Sequence, residues 1–195
     1  ETLLFRYREG QIFATRLWQE GGWQAVNAAY RNPPQSSEQI LHPEKYTQNR
    51  DEPTAVTVPD ISRSLGAGWK RLDENTFGEF QVRVMLSASS ESERASAAAA
   101  GWDGDRYQLW TRGDEDALVW QSVWDSERDA DDFAAALAGY DERRFDARFT
   151  ESDASRVLIT ADRAVQLRVA GREVTYVQAP TKQLAASVVA AASGE

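Results

Sequence analysis

Hydrophobic positions along this chain follow two rhythms, a helical spacing up to about residue 100 and a two-residue alternation beyond it. Ile12, Phe13 and Leu17 are spaced to line one helical face, and Gly21-Gly22 is expected to stop that helix. Trp23, Val26 and Tyr30 follow at i, i+3 and i+7, which predicts a second helix sending all three into a core before Asn32-Pro33-Pro34 ends it. A helical hairpin with a stiff exit is the expected result. Ser36 with Gln39 makes a capping box for one short turn, which Pro43 prevents from continuing.

Residues 47–74 scatter Pro, Asp, Gly and Ser, with Ala55 to Val58 as the one plausible strand, so they read as an irregular connection. Thr76 with Glu79 is a second capping-box match, ahead of the helically spaced Phe77, Phe80 and Val84. Ser90 with Glu93 repeats it before an alanine-rich helix that Gly101 stops. From Trp102 the period changes. Asp105 to Thr111 and Ala117 to Trp124 predict a hairpin, with Leu118, Trp120 and Trp124 on one face of its second strand. Ser126 caps a helix whose apolar edge is Phe133 and Leu137, running up to Gly139. Arg156 to Ala161, Ala164 to Val169 and Glu173 to Val177 then predict a meander. Val165, Leu167 and Val169 alternate there with Gln166 and Arg168, for one buried and one wet face. Pro180 opens a last helix carrying Leu184 and Val188.

These elements predict an α+β fold: a mainly helical region over 1–101, with the irregular connection 47–74, and an antiparallel sheet with two helices over 102–195. Helices are expected to cover one face of the sheet, the whole forming one compact unit.

Composition narrows the partners. The chain has 195 residues and a net charge of −9, which opposes nucleic acid, because phosphate binding needs a basic stripe. It has no cysteine, so neither disulfides nor thiolate metal sites exist. No apolar run approaches the roughly 20 residues of a membrane span, and no signal peptide is recognisable, although a start at Glu1 fits a processed product or a piece of a longer protein.

One histidine, His42, limits the chemistry. It could join carboxylates such as Glu38 and Glu44, but a catalytic zinc site commonly needs about three good ligands, often a histidine pair on one helix turn. The expected role is a loop-organising imidazole donating to a backbone carbonyl. A serine nucleophile would also need His42, and no Gly-x-Ser-x-Gly elbow is present. Carboxylate pairs are too numerous to single one out, Asp125 to Asp132 reads as a solvated helix start, and Arg112-Gly113-Asp114 reads as a turn. Trp120 and Trp124, with Trp102 and Trp110, either fill a core or line an aromatic groove.

Three blocks resemble a bacterial and archaeal zinc-metallopeptidase-like family. They are Phe5-Arg6-Tyr7-Arg8-Glu9-Gly10-Gln11-Ile12-Phe13 with Gly21-Gly22-Trp23, then Pro33-Pro34-Gln35-Ser36-Ser37-Glu38-Gln39-Ile40-Leu41-His42-Pro43-Glu44-Lys45-Tyr46, and Gly101-Trp102-Asp103-Gly104-Asp105-Arg106-Tyr107. In that family these blocks lie downstream of a His-Glu-x-x-His helix, and the proteins are often exported or membrane-anchored. The resemblance implies that this chain is the carboxyl-terminal part of such a protein, non-catalytic and without a cofactor of its own, with zinc and an upstream peptidase-like domain as its partner. No catalytic or metal residue carries over, because the matching motif is absent. The residues expected to bind or to organise the loop are Glu38, His42, Glu44 and Tyr46, with Trp120 and Trp124 for the alternative, an extracytoplasmic binding module whose Trp-lined groove takes peptide, lipid or glycan. A third possibility is an enzyme working through carboxylates without metal.

Overall fold

The computed structural model describes residues 2–152 and 155–194. Among them, seven strands form one antiparallel sheet in the order β1-β2-β3-β7-β6-β5-β4. The strands are β1 (Lys70–Asn75), β2 (Trp102–Arg112), β3 (Glu115–Trp124), β4 (Thr150–Ser152), β5 (Ser155–Ile159), β6 (Ala164–Ala170) and β7 (Glu173–Ala179). With eight helices among the described residues, this is the α+β architecture expected from the patterning.

Alternation along the central strands sends residues to two cores. Trp120, Tyr176, Leu167 and Val165 meet α5 (Gly78–Ser87), α6 (Ser92–Ala99) and α7 (Glu127–Phe145) on one face. Val119, Val177, Ala164 and Ala179 meet α8 (Lys182–Ala192) and α4 (Ser62–Leu65) on the other. Helices therefore close both faces, one more than expected: the small side chains Ala185, Val188 and Ala192 let α8 lie close to the sheet.

Several boundaries differ from the sequence reading. The first helix does stop where expected: α1 (Thr2–Arg31) is two helices joined across a kink at Gly21 and Gly22, where the backbone leaves helical geometry and φ of Gly22 is 59°. Phe13 and Leu17 are buried as expected, whereas Ile12, Trp23 and Tyr30 are exposed. Periodicity tells which side chains share a face, and among the described residues no element covers Trp23 and Tyr30. The short turn is α2 (Ser37–Leu41), with Ser36 Oγ accepting from Gln39 N at 3.2 Å, and a second turn, α3 (Glu44–Thr47), follows Pro43. No strand forms at Ala55 to Val58. Instead β1, lying inside the expected connection, adds an edge strand beside β2, with a bulge between Arg71 and Asp73.

Thr76 and Ser90 do not cap helices. The Asp105 carboxylate accepts from Phe77 N at 2.9 Å and Gly78 N at 2.8 Å at the start of α5, and Ser90 Oγ donates to Leu86 O. Ser126 does cap α7, which runs through Gly139 to Phe145.

The segment between α3 and α4 crosses the start of β2. Thr54 N donates to Asp103 O at 2.7 Å, and Thr54 Oγ1 donates to Asp103 Oδ2 at 2.9 Å. Only glycine fits at 104, because a Cβ there would lie 2.2 Å from Thr54 O.

Candidate functional site

Four of the six singled-out residues sit together on the α2–α3 segment. Ser36 starts α2, and His42 N closes its last turn on Glu38 O at 2.7 Å. Inside this turn, Gln39 is fully buried. Its Oε1 accepts from Gln35 N at 2.8 Å and its Nε2 donates to Asp51 O, which ties the turn to the chain that follows. Pro43 redirects the backbone, so that His42, Lys45 and Tyr46 each reach a different neighbour.

His42 does not serve a backbone carbonyl. Its Nε2 lies 2.8 Å from Glu79 Oε1 on the first turn of α5, and its Nδ1 lies 3.8 Å from Glu44 Oε1. The bond to Glu79 raises the imidazole above its ordinary pKa against the opposing effect of burial. Glu79 is buried, and its second oxygen, Oε2, has no hydrogen-bond partner. Glu44 is otherwise exposed to solvent. Tyr46 donates its hydroxyl to Asn32 O at 2.6 Å, meets Phe13 of α1 edge-on with centroids 5.2 Å apart, and lies under the Arg50 guanidinium at 4.8 Å.

Lys45 completes the segment. Its Nζ lies 2.6 Å from Glu38 Oε1, 2.7 Å from Asp125 Oδ2 at the end of β3 and 3.1 Å from Asp51 Oδ2. Burial would lower the ammonium, but the bonds to Asp125 and Glu38 outweigh it and hold Lys45 above its ordinary pKa. Burial pushes Glu38 up to about 7, with Lys45 opposing. The two shifts are compatible, because Asp125 and Asp51 also hold the ammonium.

The three carboxylates of Glu38, Asp51 and Asp125 are close enough together to bind a metal ion. The Lys45 ammonium already stands between them, and the one imidazole is engaged by Glu79, so this donor set does not fit a hydrolytic zinc.

Trp120 and Trp124 lie elsewhere, and they line no groove. Trp120 is 2% exposed and donates through Nε1 to Asp105 Oδ2 at 3.0 Å; Trp124 is fully buried, stacked on Phe133 at 4.3 Å and bonded to Ser122 Oγ. The alternating strands point both rings into the core under α7, with Trp102 and Trp110 also buried.

Sequence reasoning missed the partners. Lys45, Glu79 and Asp125 form the site with His42 and Glu38, and only Lys45 lay in the conspicuous segment. Glu79 resembled half of a capping box and Asp125 a solvated helix start. A further buried acid, Asp141 on α7, is pushed up to about 6 by burial. Tyr176 and Arg144 offset this only in part, and neither oxygen has a hydrogen-bond partner of good geometry.

Among solved structures, the chain is similar to the extracellular domain of PknH from Mycobacterium tuberculosis, at 12% identity and a TM-score of 0.46, with 74% of this chain and 100% of that one covered. A likeness of that size carries no functional argument. No curated protein matches. No helix among the described residues is long and apolar enough to cross a membrane. A model for a domain of unknown function, DUF8575, matches residues 63–189, spanning α4 to α8 with the whole sheet, and the chain belongs to that family.

Proposed function

We propose that this chain is a non-catalytic region of an exported zinc-metallopeptidase-like protein, and that it completes or covers the cleft of an upstream domain. The observation that carries the reading is the state of the Pro33–Tyr46 segment. Its imidazole and its ammonium are committed to internal pairs, His42 with Glu79 and Lys45 with three carboxylates, while Glu44 faces solvent. A hydrolytic centre needs a ligand set with an open position, and a general base must be able to reach substrate. Side chains tied down in this way suit a rigid wall. The resemblance of the three sequence blocks supplies the family context, the zinc upstream and the extracytoplasmic location.

Zinc content and peptide hydrolysis, measured for this chain beside the longer product that includes the upstream domain, test the reading. The expected result is activity and one zinc only in the longer product. Zinc-dependent hydrolysis by the chain alone would overturn it.

A further inference from the structure

A cleft opens where the start of α1 passes α5, and aromatic rings wall it. Phe5 and Tyr7 stand on α1, with Phe80 on α5 and Phe77 just before it. Contact between Phe5 and Phe80, 4.0 Å between ring centroids, joins the two walls, and Phe77 is held in place by stacking on Tyr107 of β2 at 4.4 Å. Ser37 of α2 adds a third wall, so packing of separate elements builds the cleft. Its volume is about 390 Å³, the size of an ordinary small-molecule site.

Polar groups at this cleft keep unused capacity. Arg6 lines it, and no acid does among the described residues. Arg8 and Arg16 on the same helix pair with Glu9 and Glu20, whereas the Arg6 guanidinium has no carboxylate partner among the described residues. Ser37 Oγ accepts from Phe80 N at 3.2 Å, and its own O–H donates to no described residue.

An unpaired guanidinium grips a carboxylate through two parallel N–H bonds, while the aromatic walls hold a flat ring by stacking or edge contact. A bare inorganic anion would leave the rings unused, and a neutral aromatic would leave the arginine unused. The chain's net charge of −9 repels anions in general, so any preference for one must arise from a local cation.

We propose that the cleft between α1 and α5 binds an aromatic carboxylate, with Arg6 on the carboxylate and Tyr7 and Phe80 on the ring. Free aromatic acids and the C-terminal phenylalanine of a peptide share this chemistry. The site uses neither His42 nor Lys45 and stands apart from the accessory-region reading.

The test is calorimetric titration of the whole chain with two matched pairs of probes, naphthoate with naphthamide, and acetyl-Gly-Gly-Phe as the free acid with its C-terminal amide. At least one acid is expected to bind with a Kd of about 1 mM or tighter, and about tenfold or more tighter than its amide. Backbone amide resonances of Tyr7, Phe80 and Gln81 should shift on binding. Arg6→Gln should erase the preference for acid over amide. Tyr7→Ser should weaken both forms without changing the melting temperature, because Tyr7 is 77% exposed. Tighter binding of naphthoate assigns a free acid as the source, and tighter binding of the peptide acid assigns a polypeptide C-terminus.

Equal affinity for acid and amide, no binding of either acid below about 1 mM, resonance shifts confined to another part of the chain, or a preference that survives Arg6→Gln overturns the inference.

Discussion

Glu79 Oε1 lies 2.8 Å from His42 Nε2, a contact between residues 37 apart that fastens the α2–α3 segment to the first turn of α5. The carboxylate is 4% exposed and the imidazole 33%, so removing the ring leaves a buried acid without its partner. His42→Ala is expected to cost about 1 to 3 kcal/mol in urea unfolding, below the full cost of breaking a buried pair because the ring is partly wet. Glu79→Gln in the His42→Ala background should restore part of the loss. A His42→Ala midpoint equal to wild type would remove the fastening role.

Stability should fall as pH rises from about 4 to 7. Burial raises Glu38 from 4.5 to about 7 and Asp141 from 3.8 to about 6. Each contribution is complete below the unfolded pKa and is lost as pH rises through the folded value, an effect of order 3 kcal/mol per group. His42, raised by Glu79, has the same sign above its ordinary value. Asp116 is lowered, chiefly by Arg163, so its contribution is lost only as pH falls through its depressed pKa. Asp141→Asn should flatten the slope of denaturation midpoint against pH between about 4 and 6, and Glu38→Gln between about 4.5 and 7. A flat wild-type profile over that range contradicts the assignment.

Asp105 holds four donors, namely the backbone of Phe77 and Gly78 and the indoles of Trp102 and Trp120. Asp105→Ala should therefore cost at least about 3 kcal/mol, since several buried donors lose an ionised acceptor together. Asp105→Asn keeps the shape but supplies one acceptor oxygen, and its loss should be smaller. Equal stability of the alanine variant and wild type would show that the hub is dispensable.

Trp120→Ala and Trp124→Ala should each cost about 3 to 5 kcal/mol, the penalty for emptying a core aromatic site. Thermal unfolding checks this, and a loss below about 1 kcal/mol would contradict the burial described above.

The second half of the fold was legible because its side-chain contrasts are strong. Ser126 caps α7 as its spacing implied, and Val165 and Leu167 alternate into the core as read. The edge strand β1 was not legible, because Lys70-Arg71-Leu72-Asp73-Glu74-Asn75 is largely exposed and shows no alternation. Its backbone pairing with β2 makes it a strand. The capping-box matches at Thr76 and Ser90 failed for a related reason: Asp105, distant in sequence, takes over the amides at the start of α5, and Ser90 turns back to the helix before it. The candidate site was half visible. His42, Glu38 and Lys45 lie in one conspicuous segment, but Asp125 is 80 residues from Lys45, a separation that only the sheet closes.

The open side of β1 also governs how these molecules meet one another in concentrated solution. A bulge between Arg71 and Asp73 and the charged side chains of Lys70, Arg71, Asp73 and Glu74 deny a neighbouring molecule a flat template for extending the ladder. Strand-by-strand fibril growth from that margin is thereby discouraged.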